Sequence, residues 1–169
     1  SLGGVVFSKS LRVAGDSMDA GIISYMRKKF NLLIGESTAE KIKKEIGTAI
    51  PTSNNIFLMK GRDIRTGTPK EISLTEEDAC EALMPILSQM LAAIKEALES
   101  TPPELSADLV DMGLVLTGGG ALLKNIDKLI SKDTGLPVTI ADNPLECVAM
   151  GTGKALENEE LFSTMLSEY

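Results

Sequence analysis

The sequence contains no histidine. A chain without histidine cannot form a Ser–His or Cys–His nucleophile pair, and it lacks the commonest ligand of zinc sites. Cysteine is scarce as well, because Cys80 and Cys147 lie far apart and form no CxxC motif. The sequence therefore predicts no catalytic dyad, no metal site and no disulfide framework, and it favours two reduced, buried thiols in a cytosolic protein.

Basic residues are in the minority, with 17 Lys and Arg against 24 Asp and Glu and a net charge of −7. This balance argues against nucleic-acid binding, which needs clustered cations. No apolar run approaches the roughly 18 residues that a membrane-spanning helix needs. With 43% apolar residues in 169, the chain suits one domain or two small lobes with a real core. It begins at Ser1 rather than Met, which predicts a piece of a longer protein.

Residues 113–123 are the most informative stretch, because three consecutive glycines, Gly118, Gly119 and Gly120, follow a short apolar run. We expect a buried strand over 114–116 and then one helix whose apolar stripe runs from Leu122 to Ile130. Glycine reaches positive φ and lets a flat ligand approach the backbone without a Cβ in the way. The helix N-terminus beyond it would present unpaired N–H groups. The pattern predicts a ligand-facing strand–turn–helix.

A second candidate surface lies on the helix predicted to start at Ser37, where Glu40 occupies the capping-box position. Glu40, Lys43 and Gly47 share one face of this helix, apart from its apolar face. Two interpretations are open. In the first, an intrahelical ion pair precedes a C-terminal glycine cap. In the second, the face meets a ligand, with Glu40 accepting from a sugar hydroxyl and Gly47 making room for a ring.

The other segments alternate between helical and strand patterns. A cap at Asp16 or Ser17 begins the first helix, and Thr75 with Asp78 begins a long one that Pro85 should kink or split. The expected helices are 16–30, 37–47, 76–99, 105–111, one containing 148–156, and a surface helix in the acidic tail 157–169. The expected strands are 4–8, 10–14, 56–60, a segment within 62–74 with a turn at 66–69, and 138–140.

Taken in order, these features resemble the actin-like ATPase superfamily and, within it, the MreB-type bacterial actin homologues. A triple glycine alone would be weak evidence, but the ordered set of matching stretches spans nearly the whole chain. They are residues 14–19 (AGDSMD), 31–36 (NLLIGE), 38–43 (TAEKIK), 45–47 (EIG), 61–63 (GRD), 66–67 (TG), 102–104 (PPE), 116–123 (LTGGGALL) and 144–153 (PLECVAMGTG).

The resemblance implies an α/β fold of the actin-like ATPase (ribonuclease H-like) type, in which two lobes close on ATP and magnesium. This chain would be the second lobe, a mixed sheet flanked by helices with a small inserted α+β subdomain. Residues 1–15 and 75–144 would form the inner subdomain and residues 16–74 the inserted outer one. Residues 145–169 would be C-terminal helices that return toward the first lobe.

The resemblance also implies a half-site for the adenosine part of ATP or ADP. Its implied residues are a backbone group beside adenine and the α-phosphate (Gly118, Gly119, Gly120, Ala121) and an edge group beside ribose and base (Glu40, Lys43, Gly47). The family's phosphate loops and magnesium-holding aspartates have no matching residues in this sequence. Phosphoryl transfer depends on those parts, so we expect no catalytic or metal-binding residue here and no ATP hydrolysis by this chain alone.

The implied parent protein is an ATP-dependent cytoskeletal filament that organises cell-wall synthesis in rod-shaped cells, located in the cytoplasm at the inner face of the membrane. Its implied partners are further copies of itself, head to tail, a membrane-anchored cytoskeletal adaptor and the cell-wall elongation machinery. This chain would insert into no membrane itself. Two alternatives stay open: a protein-interaction module with purely structural glycines, and half of a chaperone-type or sugar-kinase ATPase of the same superfamily. The choice between MreB and a close paralogue is also open.

Overall fold

The computed structural model describes residues 15–144. Its elements, in chain order, are α1 (Gly15–Phe30), β1 (Leu32–Leu33), α2 (Glu36–Ile46), β2 (Ile56–Asp63), β3 (Pro69–Thr75), α3 (Glu76–Glu99), α4 (Pro103–Met112), β4 (Leu114–Leu116), a 3-10 turn (Gly119–Leu122), α5 (Ile126–Thr134) and β5 (Val138–Ile140). Within that range, no helix is both long and apolar enough to cross a membrane. The strands predicted at 4–8 and 10–14, the helix around 148–156, the acidic tail and Cys147 lie outside the described residues.

Helix α1 has the predicted apolar face. Met18, Ile22 and Met26 recur at four-residue steps and are all buried, where they pack against α2 and α3. The chain is already helical at Gly15, the first described residue, so the prediction of a cap at Asp16 or Ser17 is wrong. Both residues already lie in the first turn, where the negative charge of Asp16 interacts favourably with the positive end of the helix dipole.

Helix α2 buries the predicted residues Ala39, Ile42 and Ile46. The predicted capping box of Ser37 and Glu40 is wrong, because the helix begins at Glu36 and Gly35 occupies the N-cap position without any side-chain cap. Ser37 is therefore already helical, and it lies two positions beyond the N-cap, too late for its side chain to serve as the cap.

A three-stranded antiparallel sheet follows, in the order β1-β2-β3. The β2–β3 hairpin turns where Gly67 takes φ +73° and Oδ1 of Asp63 accepts from the backbone N–H groups of Arg65 (2.8 Å) and Thr66 (3.1 Å). These hydrogen bonds hold the pKa of Asp63 below its usual value. The turn predicted at 66–69 is confirmed. Strand β1 was not predicted, because it is only two residues long and exists through its pairing with the end of β2.

Helix α3 begins with the predicted capping box, in which Thr75 Oγ1 accepts from the Asp78 N–H and Asp78 Oδ2 accepts from the Thr75 N–H at 3.0 Å. Pro85 does not split the helix, which runs unbroken through it. Pro85 itself is exposed, whereas Leu83 and Leu87 on either side are fully buried. These two anchors hold both halves of α3 on the core, so the helix continues despite the missing N–H.

Strands β4 and β5 pair in parallel, with Leu114 opposite Val138 and Leu116 opposite Ile140. The prediction that 114–116 is a buried strand is wrong for Val115, whose side chain is 64% exposed. Successive side chains of a strand point to opposite faces. Leu114 and Leu116 accordingly pack against the core, and Val115 faces away from it.

The segment after the glycines is not the single helix that the apolar stripe predicted. A 3-10 turn ends at Leu122, and α5 begins only at Ile126, because Asn125 takes the left-handed φ of +63° and interrupts the helix. Leu122 is consequently 58% exposed, whereas Ile126 and Ile130 are buried as predicted.

One continuous cluster of buried apolar side chains joins residues from both predicted subdomains. Met18 and Ile42 from the range 16–74 belong to the same cluster as Leu83 and Ile126 from the range 75–144. The boundary between an inner and an inserted outer subdomain stays a prediction. Cys80 is a buried free thiol, as predicted, and burial raises its pKa.

Candidate functional site

The glycine turn between β4 and the 3-10 turn forms one wall of a cavity of about 390 Å³. Gly118 takes φ +84°, a value that side-chain-bearing residues rarely adopt, and its N–H donates to the carbonyl of Pro144 at 2.6 Å. Gly119, Gly120 and Ala121 continue the wall, with apolar lining from the core. The four predicted backbone-group residues therefore lie together around one concave space.

A second cavity, of about 460 Å³, lies next to the first and shares Gly15 and Gly119 with it. Its edge carries Glu40, Lys43 and Gly47 from the end of α2. The structure therefore brings the two predicted groups of site residues to adjoining cavities, although they are about 75 residues apart in the chain. We call the first the glycine-turn cavity and the second the Gly47 cavity.

Lys43 pairs with a residue that the sequence did not suggest. Its Nζ lies 2.9 Å from Oδ1 of Asp19 on α1 and donates to the carbonyl of Gly15 at 3.3 Å. The predicted pair of Glu40 with Lys43 is wrong, because the intrahelical partner of Glu40 is Lys44, at 2.9 Å. Lys44 lies one full helical turn from Glu40, and its ammonium lowers the pKa of the Glu40 carboxyl.

Gly47 ends α2 and lines the Gly47 cavity. Its N–H donates to the carbonyl of Lys43 at 3.0 Å, so the interpretation as a glycine cap is correct. A Cβ at this position would lie only 2.1 Å from that same carbonyl oxygen. With φ at −62° the backbone conformation needs no glycine, and the close approach to the helix end is what excludes a side chain.

Charges around the Gly47 cavity are balanced. Lys43, Lys44 and Lys124 line it. Each lies 2.9 Å from a carboxylate oxygen, contributed by Asp19, Glu40 and Glu76 respectively. Asp19, Glu76 and Lys124 were not among the predicted site residues, because the first two belong to other helices and Lys124 follows the glycines without any motif of its own. The cavity thus offers polar atoms at its edge with little net positive charge.

No group of three or more Asp, Glu, Cys or His side chains is placed to hold a metal ion within residues 15–144. The polar groups that line the two cavities are backbone N–H and C=O groups, the paired side chains just described, and the side chains of Thr117 and Glu45. Such a surface suits a ligand with a flat apolar part and neutral hydrogen-bonding groups.

A sequence profile of the MreB/Mbl protein family matches residues 1–164. The chain belongs to the MreB/Mbl family. The resemblance to MreB-type actin homologues is thereby confirmed. This MreB/Mbl chain is 48% identical over 158 residues to the cell shape-determining protein MreB of Escherichia coli K12, and 48% identical over 159 residues to the cell shape-determining protein Mbl of Bacillus cereus. These matches cover 93% and 94% of the chain but 46% and 48% of the relatives, so the chain spans about half of their length.

Solved structures confirm the actin-like fold of this MreB/Mbl chain. MreB5 of Spiroplasma citri bound to AMPPNP superposes with a TM-score of 0.88 at 38% identity, covering 95% of this chain and 48% of that one. The ADP-bound MreB5 structure gives 0.83 at the same identity, covering 92% and 47%. A MamK double helical filament, at 18% identity and a TM-score of 0.65 over 80% and 42% of the two chains, shares the fold alone.

Proposed function

We propose that this chain is the nucleotide-binding half of an MreB-like, ATP-dependent, filament-forming cytoskeletal protein. The observation that carries the proposal is the junction of the two cavities at Gly15 and Gly119. There a wall of backbone without side chains adjoins an edge that carries Glu40 and Lys43. A planar base can approach such a wall closely, and a ribose can hydrogen-bond to such an edge.

The balanced charges favour the nucleoside part of a nucleotide over its phosphates. A phosphate-binding site presents unpaired cations or a cradle of backbone N–H groups. At the Gly47 cavity each lining lysine already has a carboxylate within 2.9 Å. We therefore assign recognition of ribose and base to this chain. Charge neutralisation of the phosphates, by loops and Mg²⁺, would fall to the rest of the full-length protein.

Membership of the MreB/Mbl family supports the nucleotide as the ligand. The superposable MreB5 structures of Spiroplasma citri are described as bound to AMPPNP and to ADP. Their likeness extends over 95% and 92% of this chain. A chaperone-type or sugar-kinase ATPase is not proposed, because the family match places the chain elsewhere in the superfamily.

The wider role follows from the family in the same way. The curated relatives are named cell shape-determining proteins. We extend that role to the full-length protein as a head-to-tail filament at the inner face of the cell membrane that organises cell-wall synthesis. A membrane-anchored cytoskeletal adaptor and the elongation machinery would be its partners. This chain alone would neither hydrolyse ATP nor insert into the membrane.

Calorimetric titration of ADP into the chain tests the proposal directly. Gly120→Val fills the glycine-turn cavity, and a Cβ at Gly120 has only the tip of Met90, at 3.7 Å, as a close neighbour. Gly35→Val serves as the matched control, because a Cβ there meets nothing within 4 Å and Gly35 lines neither cavity.

We expect the wild type and Gly35→Val to bind ADP with similar affinity. Gly120→Val should bind at least about tenfold more weakly, because its side chain occupies the space of the base. Circular dichroism melts of all three proteins verify that each variant is folded. Absence of ADP binding by the wild type, or equal binding by Gly120→Val, would contradict the proposed site.

A further inference from the structure

Glu76 is a buried carboxylate at the start of α3 that takes no part in the proposed ligand contacts. Only 1% of the residue is exposed, yet its two oxygens accept four hydrogen bonds from outside its own helix. Oε2 accepts from the backbone N–H groups of Thr52 (2.9 Å) and Ser53 (3.0 Å). Oε1 accepts from Ser53 Oγ (2.7 Å) and Lys124 Nζ (2.9 Å). Such complete pairing is what allows a charge to be buried at all.

These partners belong to the two segments that shape the Gly47 cavity. Thr52 and Ser53 follow Gly47 along the chain, whereas Lys124 follows the glycine turn and lines the cavity itself. The Glu76 carboxylate therefore binds both segments at once, the backbone that continues from Gly47 and the lysine that follows the glycine turn. Its pKa falls to about 2, chiefly because of the Lys124 ammonium and then because of Ser53 and Thr52, so the charge persists at neutral pH.

Further hydrogen bonds join the same two segments beside Glu76. The carbonyl of Lys124 accepts from the N–H of Ala49 (2.9 Å) and from Thr48 Oγ1 (3.2 Å). The side-chain amide of Asn125 donates to Thr48 Oγ1 (3.2 Å) and to the carbonyl of Ile50 (2.9 Å). Thr48 is fully buried. Asn125 takes the left-handed conformation immediately before α5, and its side-chain amide joins this network.

From this arrangement we infer that Glu76 is a positioning residue for the ligand site. Through Lys124 and the 52–53 backbone it fixes the separation between the end of α2 and the glycine turn. Ligand affinity then depends on a carboxylate that touches no ligand, because both walls must be in place before binding. The inference rests on the proposed function, since it concerns the same site.

ADP titrations of Glu76→Gln test this role at a temperature well below unfolding, where every variant is fully folded. Glutamine keeps the shape and some of the hydrogen bonds but removes the charge that holds Lys124. Lys95→Met is the matched control, because Lys95 forms another ion pair, with Asp133 at 3.0 Å, and lines neither cavity. We expect the Kd for ADP to rise about tenfold in Glu76→Gln and to stay unchanged in Lys95→Met.

The affinity separates positioning from simple stabilisation. If Glu76 only stabilises the fold, Glu76→Gln lowers the melting temperature and leaves the Kd of the folded protein unchanged, which would overturn the inference. If Glu76→Gln does not fold, Ser53→Ala decides the question, because it removes one of the four hydrogen bonds. A weaker Kd for Ser53→Ala supports the inference, and an unchanged Kd overturns it. If the wild type itself does not bind ADP, the proposed function falls and this inference falls with it.

Discussion

The ammonium of Lys43 lies 2.9 Å from Oδ1 of Asp19, so a lysine at the end of α2 is held by a carboxylate of α1. Both side chains are less than one-fifth exposed, at 19% and 14%. Within residues 15–144, Oδ1 of Asp19 is buried and accepts no hydrogen bond of good geometry. The positive charge of Lys43 therefore compensates the buried negative charge of Asp19. The pair joins two helices at the edge of the Gly47 cavity.

Asp19→Asn should destabilise the chain by about 1–2 kcal/mol, because it leaves the largely buried ammonium of Lys43 without its counter-ion. Urea denaturation measures the change in the free energy of unfolding. Glu40→Gln is the control, since it breaks the neighbouring but exposed pair with Lys44 and should have little effect. Equal decreases in the free energy of unfolding in both variants would show that the partly buried Asp19–Lys43 pair stabilises the chain no more than the exposed Glu40–Lys44 pair.

Capping should differ between the two helices for which a box was predicted. Thr75→Ala removes the side chain that accepts from the N–H of Asp78, and we expect a loss of about 1 kcal/mol. Ser37→Ala should be close to neutral, because Ser37 is exposed and lies inside α2. Thermal or urea unfolding of both variants compares them. If Ser37→Ala lowers the free energy of unfolding as much as Thr75→Ala does, the result would contradict the structure, in which the Ser37 side chain caps no helix.

The stability of the fold should depend on pH through Glu76. The folded pKa of about 2 lies below the ordinary value of 4.5, so the stabilisation is present above pH 4.5 and is lost as the pH falls toward 2. The shift corresponds to about 3 kcal/mol at neutral pH. Urea denaturation of the wild type and Glu76→Gln across this range measures it. Their difference should shrink as the pH falls, and a difference independent of pH would contradict the buried ion pair.

The sequence predicts several features that depend on local chemistry, although the caps expected at Asp16 or Ser17 and at Ser37 were wrong. Apolar residues at four-residue steps gave the face of α1, the Thr75–Asp78 box gave the start of α3, and Gly67 gave the hairpin turn. The seven candidate residues around the glycine turn and α2 were also chosen from the sequence, with the help of the resemblance to a known family, and they line adjoining cavities. Their contacts with a ligand stay a prediction.

Features that arise from contacts between distant segments were missed. Strand β1 exists because Leu32 and Leu33 pair with the end of β2. Lys43 forms its ion pair with Asp19 on another helix, although Glu40 is nearer in the sequence. Asn125 broke the predicted helix, since its amide bonds to Thr48 and Ile50 some 75 residues away. None of these choices is encoded in a local period or motif.

The central claim is that this chain recognises the nucleoside part of a nucleotide. Parallel calorimetric titrations of the wild type with adenosine, ADP and inorganic tripolyphosphate test it most directly. Because each lysine that lines the Gly47 cavity already has a carboxylate partner, we expect adenosine and ADP to bind with affinities within about tenfold of each other. Tripolyphosphate should show no binding. Tight binding of tripolyphosphate together with no binding of adenosine would contradict the account.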